Sequence, residues 1–170
     1  MLYESLVSEN RAAFVAKVIE ISKKLGINPE WLMIVMQMES QINHRAINRT
    51  TNATGLIQFM PSTALGLGTS TTALYSMSNV QQLDFVYKYF KPYSGRLNSV
   101  TDLYAVTFFP RALGKPDSYI LETDTLHADT IARQNPVFDI NKDKKITYGE
   151  FKAAILSRIP SEAVAYLKKK

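Results

Sequence analysis

The feature that most constrains the fold is the stretch from Asn28 to Ser40. Asn28 offers a capping side chain, Pro29 suits a first helical position because its missing N–H would be unpaired there anyway, and Glu30 sets a negative charge against the positive end of the helix dipole. The residues that follow, Trp31, Leu32, Met33, Ile34, Val35, Met36 and Met38, are apolar on nearly every side of such a helix. A helix with so little polar face is buried over most of its circumference. The chain must therefore wrap around it, and Glu39 stands at its end, where an acid meets apolar walls.

The remaining pattern is also helical. From Leu2 to Leu25 the apolar residues Phe14, Val18, Ile21 and Leu25 recur at helical spacing, and Gly26 supplies a stop, so one helix is expected over that span. Residues Gln41 to Gly55 are rich in Asn, Thr and Arg and read as a loop. Pro61 opens a short helix, and Ser78 with Gln81 forms a capping box ahead of the apolar face of Leu83, Val86, Tyr87 and Phe90. Another helix is expected from Thr101 to Phe109, ended by Pro110, and two more from Tyr148 and from Ser161. Strand signals are weak, apart from room for a small β element between the second helix and Pro61. The reading is a mainly α fold in 170 residues: a catalytic-sized domain over 1–120 and a more polar helical segment over 121–170.

Composition narrows the function classes. No apolar run approaches the roughly 18 residues a membrane span needs. The start of the chain mixes Glu4, Glu9, Arg11 and Lys17 among apolar residues, so no secretory signal is visible and an amphipathic helix is expected instead. There is no cysteine, hence no disulfide framework and no thiolate metal site, and two histidines, His44 and His127, are too few for a His-rich zinc site. The net charge of +5, with a basic tail at Lys168 to Lys170, suits an anionic partner. A nucleic-acid surface would need a basic stripe with interleaved aromatics, which is absent.

Apolar walls penalise an ionised carboxylate and raise its pKa, which is what a general acid acting on a glycosidic oxygen requires. Glu39-Ser40 is followed by Asn43, Ala46 and Asn48, then by the run Asn52-Ala53-Thr54-Gly55-Leu56-Ile57-Gln58-Phe59-Met60-Pro61-Ser62-Thr63-Ala64. This stretch resembles the catalytic core of the soluble lytic transglycosylases, whose motif runs Glu-Ser, a short loop, Gly-Leu-Met-Gln, then Met-Pro-x-Thr-Ala. The resemblance implies a lysozyme-like α-helical fold, a groove for peptidoglycan glycan strands, and Glu39 as the catalytic acid and base. It implies that Ser40 and Gln58 hydrogen-bond substrate or orient Glu39, that Met60 lines the sugar groove and that Asn48 contacts substrate. Structural alternatives stand beside these: Ser40 as a helix-end residue, Gln58 as a backbone partner and Met60 as ordinary core. His44 and Arg45 are expected to cover the loop surface.

No Asp or Glu occurs between Glu39 and Asp84, so the second carboxylate of an ordinary glycosidase is missing locally, although Asp84 or Asp102 can still approach in space. The family's chemistry needs one carboxyl group, forms a 1,6-anhydro ring on the muramic sugar and uses no cofactor. A hydrolytic muramidase on the same fold is the alternative, and a non-catalytic virion or wall-binding protein is a third. The chain departs from the family where many members carry Ala-Tyr-Asn-Ala-Gly. Here Leu103-Tyr104-Ala105-Val106-Thr107-Phe108-Phe109-Pro110 stands instead, a form that looks like phage and prophage members, with Tyr104 in place of the usual tyrosine or else a core aromatic. The expected setting is the bacterial cell wall, and the expected state a monomer.

A second motif lies near the end. The twelve residues Asp139 to Glu150 match an EF-hand loop, with oxygen ligands from Asp139, Asn141, Asp143, Thr147 and Glu150 and the carbonyl of Lys145 at position seven. Lys144 occupies position six, where glycine normally makes the turn. A structural Ca²⁺ is expected there, against the alternative of a charged surface turn with no ion. A calcium sensor would pair two such loops, and no second loop is visible.

Overall fold

The computed structural model describes residues 1–168, so Lys169 and Lys170 of the basic tail lie outside the described residues. Among the described residues eight α-helices follow one another, with short 3-10 turns between some of them: α1 Arg11–Leu25, α2 Pro29–Ser40, α3 Pro61–Gly66, α4 Thr71–Ser76, α5 Asn79–Phe90, α6 Val100–Phe108, α7 Ala128–Gln134 and α8 Tyr148–Arg158. The fold is mainly α, as expected, and among the described residues β structure is limited to isolated bridges.

The centre is α2. The Asn28 side chain accepts a hydrogen bond from Glu30 N, Pro29 opens the helix, and Trp31 through Met36 are fully buried. α1 and α6 pack against α2, α5 packs against α1, and α8 packs against α6. Trp31 Nε1 donates to the Tyr166 carbonyl at 3.0 Å, which ties the central helix to the 3-10 turn Ser161–Tyr166 near the end of the chain. Truncating a residue as enclosed as Leu32 to alanine costs about 2–5 kcal/mol, because the cavity left behind cannot collapse.

Some elements differ from their expected form. The first helix begins at Arg11 and not at Leu2, because Asn10 adopts a left-handed conformation (φ 51°) and the residues before it form a 3-10 turn, Glu4–Leu6. Tertiary bonds override the local pattern there: Leu2 N donates to Glu30 Oε2 at 2.8 Å, and Asn79 Nδ2 donates to the Glu9 carbonyl. The helix expected from Ser161 is a 3-10 turn. The short helices α4 and α7 carried no periodic signal. The expected β element is reduced to antiparallel bridges joining Ile47 to Thr54 and Thr54 to Phe59, and a third bridge joins Ile120 to Thr147. Among the described residues no helix is long and apolar enough to cross a membrane.

Candidate active site

Glu39 is the penultimate residue of α2, and its side chain opens onto a cavity of about 300 Å³. Met38 lines the cavity beside it, Tyr104 and Phe108 come from α6, and Phe151, Ile155 and Arg158 come from α8. Phe138, just before the Asp139–Glu150 loop, completes the wall. Glu39 is the one carboxyl group among these lining residues. Burial in these walls pushes its pKa up from 4.5 to about 7, and the positive charge of Arg158 opposes that rise without cancelling it. No hydrogen bond from a described residue stabilises the Glu39 anion, which is why burial dominates.

Two phenols feel the charge of the carboxyl group, buried Tyr104 in the cavity wall and half-buried Tyr89 outside it. Burial raises the pKa of Tyr104, the negative charge of Glu39 adds to that rise, and Arg158 opposes it. Burial likewise raises that of Tyr89, whose hydroxyl donates to the Val106 carbonyl at 2.5 Å. Both phenols stay protonated, and the Tyr104 hydroxyl has no hydrogen-bond partner among the described residues. The candidates for a second carboxylate are committed elsewhere. Asp84 pairs with Lys17 at 3.1 Å, and Asp102 accepts from Asn98 N at 2.7 Å and from the Tyr148 hydroxyl at 3.4 Å. Neither lines the cavity.

Of the expected substrate contacts, the structure brings Tyr104 to Glu39 and places the others apart from this cavity. Ser40 is buried, with its hydroxyl 3.0 Å from the Met36 carbonyl and 2.9 Å from the Leu56 carbonyl, so it fastens the end of α2 to the loop. Gln58, at φ 55°, donates through Nε2 to the carbonyls of Ala46 and Gly55. Asn48 Oδ1 accepts from the amides of Thr50 and Thr51 and shapes an exposed turn. Met60 is exposed, not core, and shares a small hollow with Gln58 and Tyr89.

His44 departs from expectation, because it is 3% exposed and does not cover the loop surface. Its Nε2 lies 3.0 Å from Glu9 Oε1, while burial lowers its pKa, an effect the Glu9 charge opposes. The loop holding it is organised by a residue whose part the sequence did not reveal. Gln82 of α5 is fully buried; its Oε1 accepts from Leu56 N at 2.6 Å and its Nε2 donates to the carbonyls of His44 and Leu74. Gly55 (φ +91°) lies against it so closely that an added Cβ would stand 2.8 Å from Gln82 Cδ. One amide thus fixes both sides of the loop between Glu39 and Gln58.

At the Asp139–Glu150 loop the oxygen-bearing side chains turn toward the loop's own backbone. Asp143 N and Lys144 N donate to the two Asp139 oxygens, Lys145 N donates to Asp143, and Asn141 N donates to Glu150 Oε1. Thr147 and Glu150 form a capping box that starts α8. Lys144 adopts φ 68°, in the left-handed region. Among the described residues no group of three or more His, Cys, Asp or Glu side chains is gathered closely enough to hold a metal ion.

A family model described as "Transglycosylase SLT domain" matches residues 17–102, which include Glu39 and the whole Gly55–Ala64 stretch. No curated protein matches the chain.

Proposed function

Because that match spans half of the chain, the protein belongs to the SLT transglycosylase domain family, and we propose that Glu39 carries out the family's peptidoglycan cleavage as the sole general acid and base. The family's substrate sets the action at the bacterial cell wall. The observation that carries the assignment of Glu39 is a lone carboxyl group, pushed up to about 7, in a cavity with no second carboxylate lining it. A pKa there lets one group serve in both protonation states near neutral pH.

In the first step, protonated Glu39 gives its proton to the oxygen linking N-acetylmuramic acid to N-acetylglucosamine. The bond from the muramic C1 to that oxygen breaks, and the glucosamine end leaves as an alcohol. The muramic N-acetyl oxygen bonds to C1 and shares the developing positive charge. In the second step, the Glu39 carboxylate takes the proton of the C6 hydroxyl. O6 bonds to C1, the acetyl oxygen is released, and the 1,6-anhydro ring closes with Glu39 protonated again. Neutral Tyr104 is placed to donate a hydrogen bond inside the cavity. Mass spectrometry of digested sacculi tests the scheme: anhydro-muramic ends support it. Reducing, water-added ends would show a hydrolase, with Asp102 or Asp84 released from its present partners.

The Asp139–Glu150 loop supports a second proposal, a structural Ca²⁺ held by Asp139, Asn141, Asp143, Thr147, Glu150 and the Lys145 carbonyl. The donor set is all oxygen, and the left-handed turn at Lys144 fits the loop type. To take an ion, the acidic side chains would have to leave the backbone amides they now accept and converge. Calcium would hold α8 against α6 and play no part in proton transfer. Melting curves with calcium and with chelator test this. A midpoint raised by several degrees in millimolar calcium is expected, absent in Glu150→Gln, and an unchanged wild-type midpoint rejects the site.

A further inference from the structure

The cavity at Glu39 has walls of two origins. Met38 and Glu39 lie inside the matched domain and Tyr104 and Phe108 just past its end, whereas Phe138, Phe151, Ile155 and Arg158 all come from the C-terminal segment further on. Arg158 is the last residue of α8 and is exposed at the cavity rim, with no hydrogen bond or ion pair to any described residue. Its charge nevertheless reaches both Glu39 and Tyr104. The same cavity has an apolar aromatic floor. Phe108, Phe138 and Phe151 contact one another with ring centroids 5.0, 5.3 and 5.1 Å apart. At the other end of α8 the Thr147–Glu150 capping box fixes where the helix starts, about 15 Å from Arg158 at 1.5 Å of rise per residue.

A guanidinium with unspent donors at the edge of a sugar-sized apolar cavity matches a carboxylate, which it can grip through two parallel N–H bonds. Of the two alternating peptidoglycan sugars, the muramic residue alone bears an ether-linked lactyl group, a methyl beside a carboxyl carbon. Its carboxylate is either free or amide-linked to a stem peptide whose own carboxylate lies a residue further out. We propose that Arg158 binds this muramic-side carboxylate while the phenylalanine floor takes the methyl. Arg158 thereby sets the register in which the strand meets Glu39: the muramic C1, and not the glucosamine C1, is presented to the acid. The assignment rests on peptidoglycan being the substrate. It makes α8 part of the substrate site as well as the exit of the Asp139–Glu150 loop.

Isothermal titration of the full chain with three soluble probes tests it. The probes are the disaccharide GlcNAc-MurNAc with its free lactyl carboxylate, the same disaccharide carrying one L-alanine on the lactyl group, and its uncharged lactyl amide. None contains the MurNAc–GlcNAc linkage, so binding is read without turnover. The wild type is expected to bind one of the two carboxylate forms at least about tenfold more tightly than the amide at low salt, and the preferred form identifies the lactyl or the stem carboxylate. Arg158→Gln should reduce that preference to about twofold or less, with Arg158→Lys between them, since lysine keeps the charge and loses the fork. No preference in the wild type, or an undiminished preference in folded Arg158→Gln, overturns the proposal. Sacculus digestion by the same wild-type preparation separates the two readings. Digestion without carboxylate preference removes the Arg158 role and leaves the family reaction standing. Carboxylate-selective binding without digestion does the reverse.

Discussion

Replacing Glu39 by glutamine sets the chemistry of the site against its stability, and the structure gives the size of the conflict. Burial lifts the carboxyl from 4.5 to about 7 in the folded protein. At about 1.4 kcal/mol for each tenfold change in proton affinity, that interval corresponds to about 3 kcal/mol, and about 2–3 once the open side of the cavity is allowed for. Because the folded pKa is raised, the folded state holds the proton more tightly than the unfolded chain. Below pH 4.5 both states are protonated and burial of the group is tolerated. As pH rises from 4.5 to 7 the unfolded chain ionises first, and wild-type stability falls. Above 7 the folded protein must hold a desolvated carboxylate with no hydrogen bond, and the full loss is reached. Glutamine has no such charge. Urea denaturation of both proteins between pH 4 and 8.5, at fixed ionic strength, should therefore show a difference that grows by about 2–3 kcal/mol in favour of Glu39→Gln and then levels off. At this chain length that is a midpoint gain of about 5–10 °C at pH 8. The same variant should lose at least about 10²-fold in sacculus cleavage, since an amide cannot shuttle the proton. A difference that stays flat across pH would refute the burial argument, and near-normal cleavage would refute the single-acid mechanism.

Three further outcomes follow from the same geometry. With one carboxyl group needed in its protonated form, wild-type kcat/KM should fall tenfold per pH unit above about 7 and show no acid limb from a second carboxylate; a bell-shaped profile with a limb near pH 4–5 would point to a hydrolytic base instead. Gly55→Ala should cost about 2–4 kcal/mol in urea denaturation, because Gly55 sits at φ +91° and an added Cβ would displace the Gln82 amide from Leu56 N; a loss under 1 kcal/mol would show that Gln82 gives way freely. Lys144→Gly should raise the melting midpoint by about 2–4 °C, since it relieves a left-handed lysine worth about 1–2 kcal/mol at some entropic cost in the unfolded chain; an unchanged or lower midpoint rules out strain at that position.

The parts of this fold that the sequence displayed are those written in contiguous residues. α2 was legible because its cap, its first-turn proline and its apolar run all lie within thirteen residues. The Glu39–Ala64 stretch was legible for the same reason, and the family match covers it. The N-terminal helix was overextended because no local pattern reveals that Leu2 N reaches Glu30, some 28 residues away, or that Asn10 turns left-handed. Ser40 and Gln58 lay in the right motif, yet the bonds they make, to Leu56 and to Ala46 with Gly55, are products of the loop's closure.

The far wall of the cavity was missed for a more instructive reason. Phe151, Ile155 and Arg158 recur at i, i+4 and i+7, so they share one face of α8, and that face is apolar until the arginine. Gln82, Val86 and Phe90 recur at i, i+4 and i+8 on the buried face of α5, which past its first residue, Asn79, is apolar except for the glutamine. A polar side chain on an otherwise apolar stripe conflicts with the burial that the stripe imposes, and only a specific partner resolves the conflict. For Gln82 the partners are three backbone groups of the loop and of α4, all satisfied within the chain. For Arg158 the chain offers none among the described residues, and the stripe ends at an open cavity. The same interruption in the pattern thus marks a clamp in one helix and a binding group in the other. What separates them is whether the protein itself supplies the partner, which only the assembled walls reveal.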